Sequence, residues 1–301
     1  MIKNLDRAIK GLAYEGKVSI VACETTELVE YIRNLHGLTP TTTALAGRVA
    51  TITGMIGLTE IKEKDDCITF QINGEGPTGS IVSVVKRNNE KSLIKMYIQN
   101  PLVELPLKGN GKIDVSGAVG KNGYLNIIRK NEFTNTSYNG LVPLVSGEIA
   151  EDFTEYYAKS KQVPTVISLG VLVDKKGVKT SGGFMISLMP DATEVEIEKI
   201  EKALSNIDSI SKMLSDGISL EEFARKATGD ENALFLINDL SIEYKCDCSK
   251  EIFTDGLSTL SKNDLEQIIE EDGKADTQCH FCNKKYHFSK EDLQEILKGK
   301  Q

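Results

Sequence analysis

The sequence contains no long apolar run. The longest, residues 167–173, is far too short to cross a bilayer, and Met1-Ile2-Lys3-Asn4-Leu5-Asp6-Arg7 leads into no apolar signal core. A helical membrane span and a secretory leader are therefore not expected, and the cytoplasm is the expected address. Histidine is scarce, with three in 301 residues. The one in the first 178 residues, His36, belongs to no motif that supplies a nucleophile and an orienting acid, so no catalytic set is expected there. Basic charge is also in deficit. Residues 1–178 carry 21 basic and 19 acidic groups, 179–240 carry 6 and 12, and 241–301 carry 9 and 13, giving nets of +2, −6 and −4. An acidic C-terminal part repels phosphate, so neither nucleic acid nor a membrane is an expected partner.

With 40% hydrophobic residues, the chain can bury a sizeable core and is long enough for two domains. Residues 17–21 read as a strand and 24–35 as a helix with Leu28, Val29, Ile32 and Leu35 on one face. Thr39-Pro40 reads as an N-cap and first helical residue, opening a helix through Ala44-Leu45-Ala46-Gly47-Arg48 to about Gly57 whose small residues favour close packing. Short β-branched runs at 68–72, 80–87, 93–98, 113–116 and 125–128, separated by Gly, Asn and Pro, predict an antiparallel sheet. Gly74-Glu75-Gly76-Pro77-Thr78-Gly79 has the letters of a dinucleotide fingerprint. A strand follows where a helix should start, and Pro77 removes an amide, so the stretch reads as a sheet turn. Residues 149–159 read as a helix, and 165–173 with 184–189 as a hairpin.

The expected fold class is α+β. Residues 1–178 would form a mostly antiparallel sheet with packed helices, 179–240 a helical linker, and 241–301 a small four-cysteine domain. In the linker, Thr193-Glu194-Val195-Glu196 is a capping box ahead of Ile197, Ile200, Leu204, Ile207 and Leu214. Ser219 caps a shorter helix carrying Phe223, Ala224 and Ala227, which Gly229 ends. Such a hairpin has no core of its own and borrows its stability from neighbours.

Six cysteines are present. Cys23 and Cys67 have no other cysteine close in the sequence and read as small buried hydrophobes. The other four form two tight pairs, Cys246-Asp247-Cys248 and Cys279-His280-Phe281-Cys282. A closed tetrahedral zinc site needs four such thiolates, so Cys246, Cys248, Cys279 and Cys282 are the expected ligands of one Zn2+ per chain. His280 and His287 lie close enough to be alternative ligands, but four cysteines leave them as ordinary polar residues. A disulfide framework is the competing reading, weakened by the lack of secretory features. A zinc hydrolase or deaminase fits poorly, because four thiolates close the site and no His-x-Glu precedes Cys279. Zinc held by both pairs would join segments thirty residues apart, whereas a disulfide within each pair joins nothing distant. Oxidation would consume the ligands and the binding energy together, leaving Ile197, Leu204, Ile207 and Phe223 of the linker to be uncovered.

From end to end the chain resembles the redox-regulated holdase chaperones of the 33-kilodalton heat-shock protein family. The resemblance rests on Leu45-Ala46-Gly47-Arg48, Gly76-Pro77-Thr78-Gly79, Val163-Pro164-Thr165 with Leu169-Gly170-Val171, and Gly182-Gly183-Phe184 through Pro190. Above all it rests on the Cys-x-Cys and Cys-x-x-Cys pairs followed by Tyr286 and Phe288. It implies an ATP-independent chaperone that is inactive while reduced and zinc-bound. On oxidation, disulfides Cys246-Cys248 and Cys279-Cys282 form, zinc leaves, the C-terminal part unfolds, and an often dimeric form binds unfolding client proteins. The resemblance implies no catalytic residue. Ser160-Lys161-Gln162 departs from the common Ser-Glu-Gln, which bears on local contacts only. The alternative is a zinc-ribbon adaptor that binds protein or nucleic acid with its metal retained.

Overall fold

The computed structural model describes residues 6–63, 66–131 and 133–300. Met1 to Leu5, read above for a leader, lie outside the described residues. The chain divides into two compact units, one up to Tyr244 and one from Lys245 on.

In the first unit, β1 (Ala8–Ala13) and β2 (Val18–Glu24) pair as a hairpin, followed by α1 (Thr26–His36) and α2 (Pro40–Glu60). The Thr39 hydroxyl accepts from the Thr42 N–H at 3.2 Å, so α2 starts where the Thr39-Pro40 signal places it. Nearly all of α2 is buried, and its small residues allow this. A Cβ on Gly54 would lie 2.4 Å from Ile242 Cγ2, and one on Gly57 2.3 Å from Ser92 Oγ. The meander β3 (Asp66–Glu75), β4 (Ile81–Asn88) and β5 (Lys91–Ile98) matches the β-branched runs, and the glycine-rich stretch is the β3–β4 turn. One run fails: residues 113–116 give no strand, and α3 (Val115–Val119) forms instead, because the Asp114 carboxylate accepts from the Gly117 N–H at 2.8 Å.

The unit continues with β6 (Gly120–Asn131), β7 (Thr136–Pro143), α4 (Ala150–Tyr156), β8 (Thr165–Asp174) and β9 (Gly177–Leu188). It closes with α5 (Glu194–Ser205), α6 (Ile210–Ser215), α7 (Leu220–Thr228) and β10 (Leu234–Tyr244). After α4, Lys161 Nζ lies 3.2 Å from Glu60 Oε2, a carboxylate that Arg129 also pairs with. The departure at Ser160-Lys161-Gln162 therefore adds a second cation to Glu60.

The ten strands lie in the order β7-β6-β3-β4-β5-β10-β1-β2-β9-β8. Every neighbouring pair is antiparallel except β10 with β5. The expected mostly antiparallel α+β architecture is present. β2 is almost continuously apolar because both its faces are covered. Val21 and Cys23 join the core under α1 and α2, while Val18, Ile20 and Ala22 meet Ile200, Phe223 and Ala227 of α5 and α7. β3 instead alternates: Ile68, Phe70 and Ile72 are buried, with half-buried Thr69, Gln71 and Asn73 between them.

The helices α5–α7 do borrow their core, and they borrow it from the sheet. Phe223 meets Phe184 edge-on at 5.6 Å, Lys17 pairs with Glu196 at 3.0 Å, and the Tyr14 hydroxyl donates to the Thr228 carbonyl at 2.8 Å. The sequence suggests one helical face running from Ile197 to Leu214, but the helix breaks between α5 and α6, where the Asn206 side chain donates to the Lys202 carbonyl at 2.6 Å. The helical part of 179–240 is thus α5–α7 alone. Residues 179–188 belong to β9 and 234–240 to β10, both strands of the large sheet.

The second unit contains α8 (Lys250–Ser258), α9 (Lys262–Glu271), the hairpin β11 (Ala275–Gln278) and β12 (Lys285–Phe288), and α10 (Lys290–Lys298). Ser261 and Ser289 cap α9 and α10 by accepting from the Asp264 and Asp292 N–H groups. The buried apolar core of this unit comprises Leu265, Ile269, Tyr286, Phe288, Leu293 and Ile296. So few side chains offset the ordering entropy of a 57-residue unit poorly.

Candidate metal centre

Cys246 and Cys248 lie in the short connection between β10 and α8, and Ser249 then caps α8. Cys279 and Cys282 occupy the turn of the β11–β12 hairpin. The Cys279 N–H donates to the Lys284 carbonyl at 2.9 Å, and the Asn283 N–H donates to the Cys279 carbonyl at 2.8 Å. Asn283 takes the left-handed conformation, φ +59°, that this tight knuckle requires. The two pairs converge, with all four Sγ atoms within 4.8 Å of one another. Cys246 Sγ is 3.7 Å from Cys279 Sγ, and Cys248 Sγ is 3.4 Å from Cys282 Sγ.

These distances fit a metal. Zn–S bonds of about 2.3 Å at tetrahedral angles put neighbouring sulfurs about 3.8 Å apart. All four cysteines are unbonded thiols. Sulfur charge is also provided for. The Cys248 N–H donates to Cys246 Sγ, and the Lys284 N–H donates to Cys282 Sγ. The Tyr286 hydroxyl sits 3.1 Å from Cys248 Sγ and 2.9 Å from the Cys248 carbonyl. Burial pushes the Cys246 and Cys282 thiols up. Burial also raises Cys248, but the hydrogen bonds from Tyr286 and the three neighbouring thiols outweigh it and bring Cys248 down to about 7. The Tyr286 hydroxyl is raised in turn, first by its bond to Cys248 and then by burial. A set of four sulfurs in this arrangement can close around one soft or borderline divalent ion and leave no position open to a substrate.

The histidines stand apart from the sulfur cluster. His280 is exposed, and His287 Nδ1 lies 2.8 Å from its cross-strand partner Asp276 Oδ1. His36, in the first unit, is 3.5 Å from the Tyr244 hydroxyl. Cys23 and Cys67 are buried in the first unit, and burial holds the Cys23 thiol far above its ordinary range, as inert core thiols require. The contact of Tyr286 with Cys248 was not visible in the sequence, where Tyr286 and Phe288 mark only a two-residue apolar alternation after the second pair.

Comparison with known proteins agrees over the whole chain. A family model described as "Hsp33 protein" matches residues 6–289. The chain is 42% identical over 294 residues to the 33 kDa chaperonin of Acetivibrio thermocellus, covering 97% of both chains. It is 41% identical over 293 residues to that of Clostridioides difficile, covering 97% of this chain and 99% of the relative. It is also similar to the crystal structure of a 33 kDa chaperonin, a heat shock protein 33 homolog, from Thermotoga maritima. That likeness has a TM-score of 0.88 at 35% identity and covers 99% of each chain. With the fold, the paired cysteines and these relatives in agreement, the chain belongs to the Hsp33 family of 33 kDa chaperonins.

Proposed function

We propose that this chaperone-family protein is an oxidation-activated, ATP-independent holdase. One observation carries the reading: four unbonded thiols from segments thirty residues apart meet at one point of a unit with a very small core. Cys246, Cys248, Cys279 and Cys282 would hold one Zn2+ per chain. Zinc, when bound, would supply the cross-link and a binding free energy on the order of 10 kcal/mol that this core lacks.

The thiolates are the nucleophiles that attack an oxidant. With peroxide, one thiolate forms an S–O bond as the O–O bond breaks and hydroxide leaves. A second thiolate then attacks that sulfur, forming S–S and expelling a second hydroxide, so two thiolates give up two electrons per peroxide. The 3.7 and 3.4 Å contacts run between the pairs, so proximity in the folded unit does not choose the partners. Once the unit opens, closing a ring within a pair costs less chain entropy than closing one of more than thirty residues. Cys246-Cys248 and Cys279-Cys282 are therefore the expected bonds, with the tighter Cys246-Cys248 ring the easier to reduce. Peptide mapping after mild oxidation is expected to find links within pairs. Dominant links between the pairs would contradict the reading, since they would keep the long-range closure that zinc supplies.

Unfolding of the second unit would reach the first along the chain, because β10 pairs with β5 through Ser241–Tyr244 and ends two residues before Cys246. Release of α5–α7 would uncover Ile9, Ile20, Phe184 and Ile186 on the sheet, and Ile200 and Phe223 on the helices. That surface would receive unfolding client proteins, and the active form would be a homodimer in the cytoplasm. No enzymatic step is part of this function. Among the described residues, no helix is long and apolar enough to cross a membrane.

A further inference from the structure

Hydrogen-bond donors are aimed at the sulfurs of Cys246, Cys248 and Cys282. Two donors are backbone amides two residues downstream, Cys248 N–H on Cys246 and Lys284 N–H on Cys282, and these come with the turns themselves. The third is a side chain, the Tyr286 hydroxyl, 3.1 Å from Cys248 Sγ and 2.9 Å from the Cys248 carbonyl, so its one proton is shared between the two acceptors. Its ring is fixed independently of that bond. It packs against Phe253 at 4.8 Å between centroids, the Lys284 ammonium lies 5.2 Å above it, and the β11–β12 register sets Tyr286 opposite Thr277. The hydroxyl could therefore be removed while the ring stays in place, with its contacts to the Cys248 sulfur and carbonyl lost together.

Resting on the redox reading above, we propose that Tyr286 is a positioning residue that brakes oxidation, its O–H engaging the Cys248 sulfur lone pair that would otherwise attack peroxide. A hydrogen bond to sulfur stabilises charge there and lowers nucleophilicity, and a donor seated on the sulfur also blocks one direction of approach. Tyr286 thus sets how much oxidant the resting protein tolerates before its first S–O bond forms.

The test compares the full-length wild type with Tyr286→Phe, following zinc release with a metal dye under limiting hydrogen peroxide and, separately, under a chelator without peroxide. Peroxide-driven release is expected to rise about tenfold, with a clearly smaller change in chelator-driven release. In the Co2+-loaded protein the sulfur-to-metal charge-transfer band is expected to shift on loss of the hydrogen bond. Incorporating 3-fluorotyrosine at position 286, a stronger donor on the same ring, should slow peroxide-driven release. An unchanged peroxide rate would overturn the proposal. So would equal acceleration of both kinds of release, or a Tyr286→Phe chain unable to hold zinc, because Tyr286 would then be part of the scaffold. If the wild type itself releases no zinc under peroxide, the redox reading fails as well.

Discussion

Ile200→Asp combined with Phe223→Asp is expected to yield a chain that suppresses client aggregation with no oxidant added. Both side chains are almost fully buried against the sheet, and Phe223 meets the Phe184 ring. Burying each carboxylate in that apolar contact costs several kcal/mol, a large share of the roughly 5–15 kcal/mol that stabilises a whole domain. The helices α5–α7 should undock and leave Ile9, Ile20, Phe184 and Ile186 open to clients. The check is light scattering from a heat-unfolded client under reducing conditions, with hydrogen exchange on residues 194–228 and zinc content measured in parallel. Fast exchange, retained zinc and suppressed aggregation are expected. Undocked helices without suppression would place the client site on the helices, since the same changes make them less apolar. Equal protection of 194–228 in reduced and oxidised wild type would remove the mechanism altogether.

The second large effect is loss of the C-terminal unit. Cys279→Ser with Cys282→Ser is expected to take zinc from one per chain to near zero and to unfold α8–α10, because the remaining core is too small to hold them. Cys23→Ala with Cys67→Ala is expected to keep full zinc, since both thiols are buried in the first unit and neither belongs to the group of four sulfurs. Metal analysis and amide NMR of the reduced proteins decide both points. A folded second unit in the zinc-free serine variant, or loss of half the zinc in the alanine variant, would sink the site assignment.

What could be read from the sequence was mostly local. A cysteine pair announces itself by spacing, and the caps at Thr39, Thr193, Ser219, Ser261 and Ser289 each act within three residues, so the helix starts they mark are present. β10 was not legible, because it changes partner along its length. It pairs with β1 up to Leu240, through bulges, and with β5 from Ser241, so no single alternation runs through it. In β2 apolar residues fall on both faces, but nothing local says that α5–α7 cover one of them. The Tyr286 hydroxyl meets Cys248 across 38 residues of chain, and such a contact exists only once the hairpin and the Cys-x-Cys stretch have folded together.

The central claim is that function appears when the thiolates are oxidised and the metal leaves. It is tested most directly by following zinc release with a metal dye and suppression of a heat-unfolded client's aggregation in one peroxide-treated sample. The two are expected to rise together, and a dithiol reductant with added zinc should return the protein to the inactive state. Full activity of the wild type with zinc still bound, as a permanently folded zinc-ribbon adaptor requires, or complete zinc loss with no activity, would contradict it.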